Sequence, residues 1–138
     1  MEYVKIIKNE RSKLKGIPVD VYYDSNLLYD TYLFNHRLYK EQDLYHYNGT
    51  ICEECVVSAE LCGYSTQDEY KDIKELANAI YDNFKDSPRH HAIQMDEGYS
   101  YISISYISNY YVVRLASFPH NVVGSQNKSR IEFEKLVR

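Results

Sequence analysis

No stretch of this 138-residue chain approaches the run of about 18 apolar residues that a membrane-spanning helix needs. No dense basic block is present either. Lys and Arg number 16 against 20 Asp and Glu, a net charge of -4, which disfavours a nucleic-acid platform. The opening MEYVKIIKNERSK is charged and periodic and lacks the apolar centre of a signal peptide. A glycine-rich phosphate loop, a His-Glu-x-x-His pair and a Gly-x-Ser-x-Gly elbow are all missing, so those catalytic frameworks are unsupported. Cysteine is odd in number: Cys52, Cys55 and Cys62 cannot all be paired within the chain. Tryptophan is absent and phenylalanine occurs only four times.

Tyrosine fills that gap. Its 16 residues supply most of the 14% aromatic content, so much of the nominal 44% hydrophobicity carries a hydroxyl group. With 26% charged residues, the chain reads as one domain over residues 1–138, able to bury about two-thirds of its unfolded surface. No internal repeat or linker divides it. The expected core covers about residues 4–116, with 117–138 as a C-terminal extension.

Val4, Ile7, Arg11 and Leu14 recur at helical spacing, and Gly16 with Pro18 stops that helix before a linking segment at 17–21. Asp24 or Ser25 caps a second helix. One side of it carries Leu28, Thr31, Asn35 and Leu38, widened by Leu27 and Phe34, and it ends within 42–45. Residues 46–66 are the least periodic, with a turn at Asn48-Gly49 and a short helix drawn over 52–61. Thr66-Gln-Asp-Glu69 matches a capping box ahead of the apolar stripe Ile73, Leu76, Ala77, Ile80 and Phe84, which Ser87-Pro88 ends. Period two then takes over. Tyr101–Tyr106 and Tyr110–Leu115 read as an antiparallel hairpin turning at Ser108-Asn109. Ile131, Phe133 and Leu136 suggest an edge strand or short helix in the tail. Helices first and strands last give an α+β layered fold.

Four stretches, in order, resemble the CAP superfamily, the SCP-like or cysteine-rich secretory, antigen 5 and pathogenesis-related family, in its small bacterial form. Asn9-Glu-Arg11 with Leu14-Lys-Gly16-Ile17-Pro18 resembles the opening N-x-x-R…G-L-P segment. Asp24-Ser25-Asn26-Leu27 resembles the W-D-x-x-L start of the second helix. Ala79-Ile80 to Phe84 with Ser87-Pro88-Arg89-His90 resembles A-V-x-x-W-x-x-S-P-x-H, and Tyr110-Tyr111-Val112-Val113 resembles a late Y-Y-V strand. The resemblance implies a three-layer α-β-α sandwich, a secreted or cell-surface location, and a cleft where histidines meet acidic residues. On this sequence the cleft residues would be His46, Glu54 and His90, the same three serving as ligands for zinc or another divalent cation. Two departures stand out. The family's G-E-N-I reads Glu53-Glu54-Cys55-Val56, and its G-V-G strand reads Ser103-Ile104-Ser105, which replaces permissive backbone with hydroxyl side chains.

Two imidazoles and a carboxylate suit zinc and leave one coordination position for a ligand. A rival set is Cys52, Cys55 and Cys62 with His46. Cys52-x-x-Cys55 alone also reads as a redox pair or a short disulfide that leaves Cys62 free. A second surface is drawn from paired tyrosines, Tyr45 and Tyr47 in the loop and Tyr101 and Tyr111 on the hairpin. A tyrosine couples apolar area to a hydrogen-bonding tip, which suits a small ligand, peptide, glycan or protein. The expected activity is binding. Alternatives are a cleft-dependent hydrolase (protease-like or lipase-like) using His90, Glu54 and Ser87 or a water, and an interaction domain whose cleft is vestigial.

Overall fold

The computed structural model describes residues 2–119. The elements run α1 (Glu2–Lys15), α2 (Ser25–Glu41), β1 (Val57–Tyr64), α3 (Ile73–Lys85), α4 (Pro88–Met95), β2 (Tyr101–Ile107) and β3 (Tyr110–Ser117). The strands form one antiparallel sheet in the order β1-β3-β2. Helix α2 covers one face, while α1, α3 and α4 pack together on the other. This is the expected α-β-α sandwich. The tail positions Ile131, Phe133 and Leu136 lie outside the described residues.

Strand alternation divides the core between the two faces. On β3, Tyr111, Val113 and Leu115 join Ile7, Ile80 and Phe84 under α1 and α3. Tyr110 and Val112 meet Phe34 and Leu38 of α2. Arg114 keeps the same parity as Tyr110 and Val112, so the period of two places a charged residue against α2. The register sets Glu60 of β1 directly opposite Arg114 and Cys62 opposite Val112, while Leu61 points to the other core.

The α2 face is held by polar contacts as well as packing. Thr31 Oγ1 lies 2.6 Å from Ser103 Oγ, and Asn35 Nδ2 donates to Ser105 O, Ser105 Oγ and Tyr110 O, each at 3.1 Å. Ser103 and Ser105 on β2 are thus buried partners of the helix, and helix and sheet fit because both sides of the seam are small and polar. Helix α2 begins at Asp24, whose Oδ1 accepts the Leu27 amide, and stops at Gln42, which adopts a left-handed conformation.

Three local expectations change. Arg11 is buried, donating Nε to Gln94 O and Nη1 to Tyr99 O, whereas Leu14 is 73% exposed. An arginine therefore satisfies the end of α4, and the apolar stripe of α1 stops one turn early. The cap of α3 is Asp72 rather than Thr66: Asp72 Oδ1 accepts the Glu75 amide, and Glu75 reaches back to the Lys71 amide. Residues 57–61 lie in β1, not in a helix. The β-branched Val57 and the alternation through Cys62 suit a strand once β3 is available to pair.

The hairpin is as expected, with both Ser108 and Asn109 at positive φ in its two-residue turn. Cross-strand from Tyr111, Gly63 leaves room for the ring. A Cβ there would lie 2.3 Å from Tyr111 Cε2.

Candidate metal centre

Chain geometry brings His46, Glu60 and Cys62 together. Helix α2 ends at Glu41, the following loop carries His46 and Tyr47 back over the sheet, and β1 presents Glu60 and Cys62 on one face two residues apart. His46 Nδ1 lies 3.0 Å from Glu60 Oε1 and 3.7 Å from Cys62 Sγ, while Sγ lies 3.4 Å from the same carboxylate oxygen. Among the described residues, these three form the group of potential ligand side chains whose ligand atoms lie within 4.8 Å of one another. The triangle is close to what one cation needs. Tetrahedral zinc with ordinary bond lengths separates N, O and S donors by about 3.3–3.6 Å.

The cluster is anchored beneath. Glu60 Oε1 also accepts the Tyr47 amide at 2.9 Å, and Oε2 accepts Arg114 Nε at 2.9 Å. Both side chains of that ion pair are buried, Arg114 at 2% exposure and Glu60 at 4%. The Arg114 guanidinium carbon sits 5.1 Å from the ring centres of both Phe34 and Tyr47, where the rings' negative faces favour a cation. His46 itself is open to solvent. Burial, and then the adjacent Glu60 carboxylate, push the Cys62 thiol well above its ordinary range, so it holds its proton when no cation competes for the sulfur.

The expected ligand set is only partly assembled. His46 is in the cluster, but Glu54 and His90 are not. Glu54 is exposed in the loop before β1, where it lines a separate cavity with Asp24 and Phe118. His90 lies in α4, its ring edge-on to Phe84 on the α1–α3 side of the sheet. The carboxylate comes instead from Glu60, which β1 places on the same face as Cys62. The rival cysteine set is also divided. Cys52 and Cys55 are joined as a disulfide, and Cys62 is the free thiol that completes the cluster with His46.

The tyrosine surface divides too. Tyr47 is 37% exposed and Tyr45 half-buried, both packed edge-on to Phe34 beside the cluster. Tyr101 and Tyr111 are core residues at 6% and 1% exposure, and they correct the idea of a recognition surface on the hairpin. Tyr101 packs on Phe118 and Tyr22. Tyr111 packs on Phe84 and takes a hydrogen bond from Asn83. In this chain they occupy places that phenylalanine or tryptophan would fill.

A small antiparallel sheet lies between one helix and a three-helix layer, an α-β-α sandwich with an ionisable cluster at the sheet's edge. The structure is similar to an outer surface protein from Borrelia burgdorferi, with a TM-score of 0.66 and 15% identity over 84% of this chain and 90% of that one. It is also similar to an extracellular protein containing a SCP domain from Bacillus anthracis, with a TM-score of 0.60 and 7% identity over 83% of this chain and 39% of that one. At these identities the likeness establishes the shared fold. No family model matches the chain, and no curated protein sequence matches it. Among the described residues, no helix is long and apolar enough to cross a membrane.

Proposed function

We propose that this chain is an SCP-like binding domain in which His46, Glu60 and Cys62 hold a divalent cation, zinc by preference. The carrying observation is the triangle of one imidazole, one carboxylate and one thiol with edges of 3.0, 3.4 and 3.7 Å. The donor types fit: nitrogen and sulfur donors favour zinc over magnesium or calcium, which prefer oxygen alone. A zinc ion held by three protein groups keeps a fourth position for a donor atom of a bound ligand. Arg114 holds Glu60 through Oε2 and so orients the other oxygen, Oε1, toward His46 and Cys62.

The domain acts by binding rather than turnover. Glu54 on one loop and Ser87 with His90 around α4 come from different parts of the fold, which supports no hydrolytic set among them. A secreted or surface location is part of this reading. It is supported by the Cys52–Cys55 disulfide, a bond typical of oxidising compartments, and by the extracellular and outer-surface descriptions of the similar structures.

Zinc titration followed by calorimetry and elemental analysis tests the proposal. One zinc per chain is expected, with proton release as the thiol ionises. Cys62→Ser and His46→Ala should each lower affinity at least tenfold, while Glu54→Gln and His90→Ala should leave it unchanged. Equal zinc binding by all five proteins, or none by the parent chain, would overturn the assignment.

A further inference from the structure

Arg114 also lines a cavity of about 240 Å³, together with Asp30, Phe34, Arg37, Tyr47 and Thr50 among others. Its charges are incompletely matched. Arg114 is nearly fully buried and spends Nε on Glu60, yet its buried Nη2 has no hydrogen-bond partner. Asp30 and Arg37 line the same space from α2, both are exposed, and neither makes an ion pair among the described residues.

The count of charges selects the ligand class. Glu60 neutralises Arg114, leaving one cation, Arg37, and one anion, Asp30. A phosphate dianion would be opposed by Asp30, and a plain cation by Arg37. A molecule with one charge of each sign satisfies both. The spacing narrows it further. Asp30 and Arg37 are seven residues apart on one helix, about 10 Å along its axis at about 1.5 Å per residue. The Arg37 guanidinium leans back over the Phe34 ring, one turn nearer Asp30, so the charges lie closer than the backbone positions. An extended peptide residue spans about 3.3–3.6 Å, so two residues reach about 7 Å and three about 10 Å, whereas a free amino acid is too short. The wall between the charges is apolar, formed by Leu33, Phe34 and Ile51, and can take a side chain.

We propose that this cavity binds a short peptide with both termini free. Its carboxylate is held by Arg37, with the Arg114 side chain in the adjoining wall, and its ammonium by Asp30. Guanidinium groups suit a carboxylate because their planar N–H donors meet both oxygens. The cavity shares Arg114 and Tyr47 with the support of the His46, Glu60 and Cys62 cluster but contains none of those three and needs no cation.

The test is an NMR titration of the full chain with the dipeptide Ala-Leu, run in EDTA so that metal plays no part. Saturable shifts are expected at the amides of Tyr47, Thr50 and Ile51. N-acetyl-Ala-Leu and Ala-Leu amide, each lacking one charge, should bind about tenfold more weakly or worse, a loss of about 1.4 kcal/mol or more. Arg37→Ala should weaken Ala-Leu to a similar extent. Asp30→Asn should erase the preference for Ala-Leu over its N-acetylated form while leaving the spectrum folded. No saturable shift up to about 10 mM, equal binding of the blocked peptides, or indifference to both substitutions would each overturn the proposal.

Discussion

Removing the Glu60 carboxylate should strand a buried cation. Arg114 is 2% exposed, its Nη2 has no partner among the described residues, and it pairs with Glu60 Oε2 at 2.9 Å. Breaking a buried ion pair from one side costs about 3–5 kcal/mol, because the remaining charge has lost both water and counter-charge. The rings of Phe34 and Tyr47 stay in place and continue to stabilise the guanidinium by about 0.5–2 kcal/mol, which favours the lower part of that range. Glu60→Ala should therefore cost about 3 kcal/mol, a large share of the about 5–15 kcal/mol by which a domain is stable. The melting temperature should fall by about 10–15 °C. Urea unfolding in EDTA, followed by tyrosine fluorescence, measures this without interference from metal or tryptophan. The pair of changes Glu60→Leu with Arg114→Met should recover most of the loss, since it removes the buried charge together with its partner. A loss below about 1 kcal/mol for Glu60→Ala, at unchanged dependence on urea, would refute the view of this pair as a desolvated unit.

Three further outcomes follow from the same geometry. Asn35→Ala removes the donor to Ser105 O, Ser105 Oγ and Tyr110 O and should destabilise the domain by about 2–4 kcal/mol in urea unfolding, because those buried acceptors lose their partner. Gly63→Ala brings a Cβ to 2.3 Å from the Tyr111 ring and should cost about 1–3 kcal/mol, part of which Tyr111→Leu recovers when the two are combined. The third concerns pH. The folded chain raises the Cys62 thiol above its unfolded value, so this contribution to stability is complete below about pH 8.5 and is lost as pH climbs toward the folded value. Metal-free protein should accordingly weaken between about pH 8.5 and 10 by up to about 1.4 kcal/mol per unit from this group, and Cys62→Ala should flatten that slope.

The fold was legible wherever a single element carries its own period. The apolar spacing of α3, the small polar face of α2 at Thr31 and Asn35, and the alternation of β2 and β3 each identify their element without a partner. Strand β1 did not identify itself. Val57–Tyr64 is bracketed by a disulfide loop and a polar turn, its exposed first residues blur the alternation, and its pairing partner lies some fifty residues ahead in sequence. Long-range pairing, not local propensity, makes it a strand.

The candidate site is hidden in the sequence for a related reason. The resemblance takes Glu54 from the place of G-E-N-I, with Glu53 beside it, and the segment 52–61, drawn as a helix, leaves Glu60 unremarked. Drawn as a strand, it puts Glu60 and Cys62 on one face by parity alone, and pairing with β3 sets Arg114 opposite Glu60. An arginine within Tyr-Tyr-Val-Val-Arg-Leu-Ala, in a strand otherwise buried on both faces, demands a carboxylate, because an unpaired buried guanidinium is too costly to keep. Glu60 is the residue that meets that demand. The electrostatic need of Arg114, together with the parity of β1, locates the Glu60 cluster more firmly than any count of histidines, and it separates Glu60 from the exposed Glu53 and Glu54, which no buried charge requires.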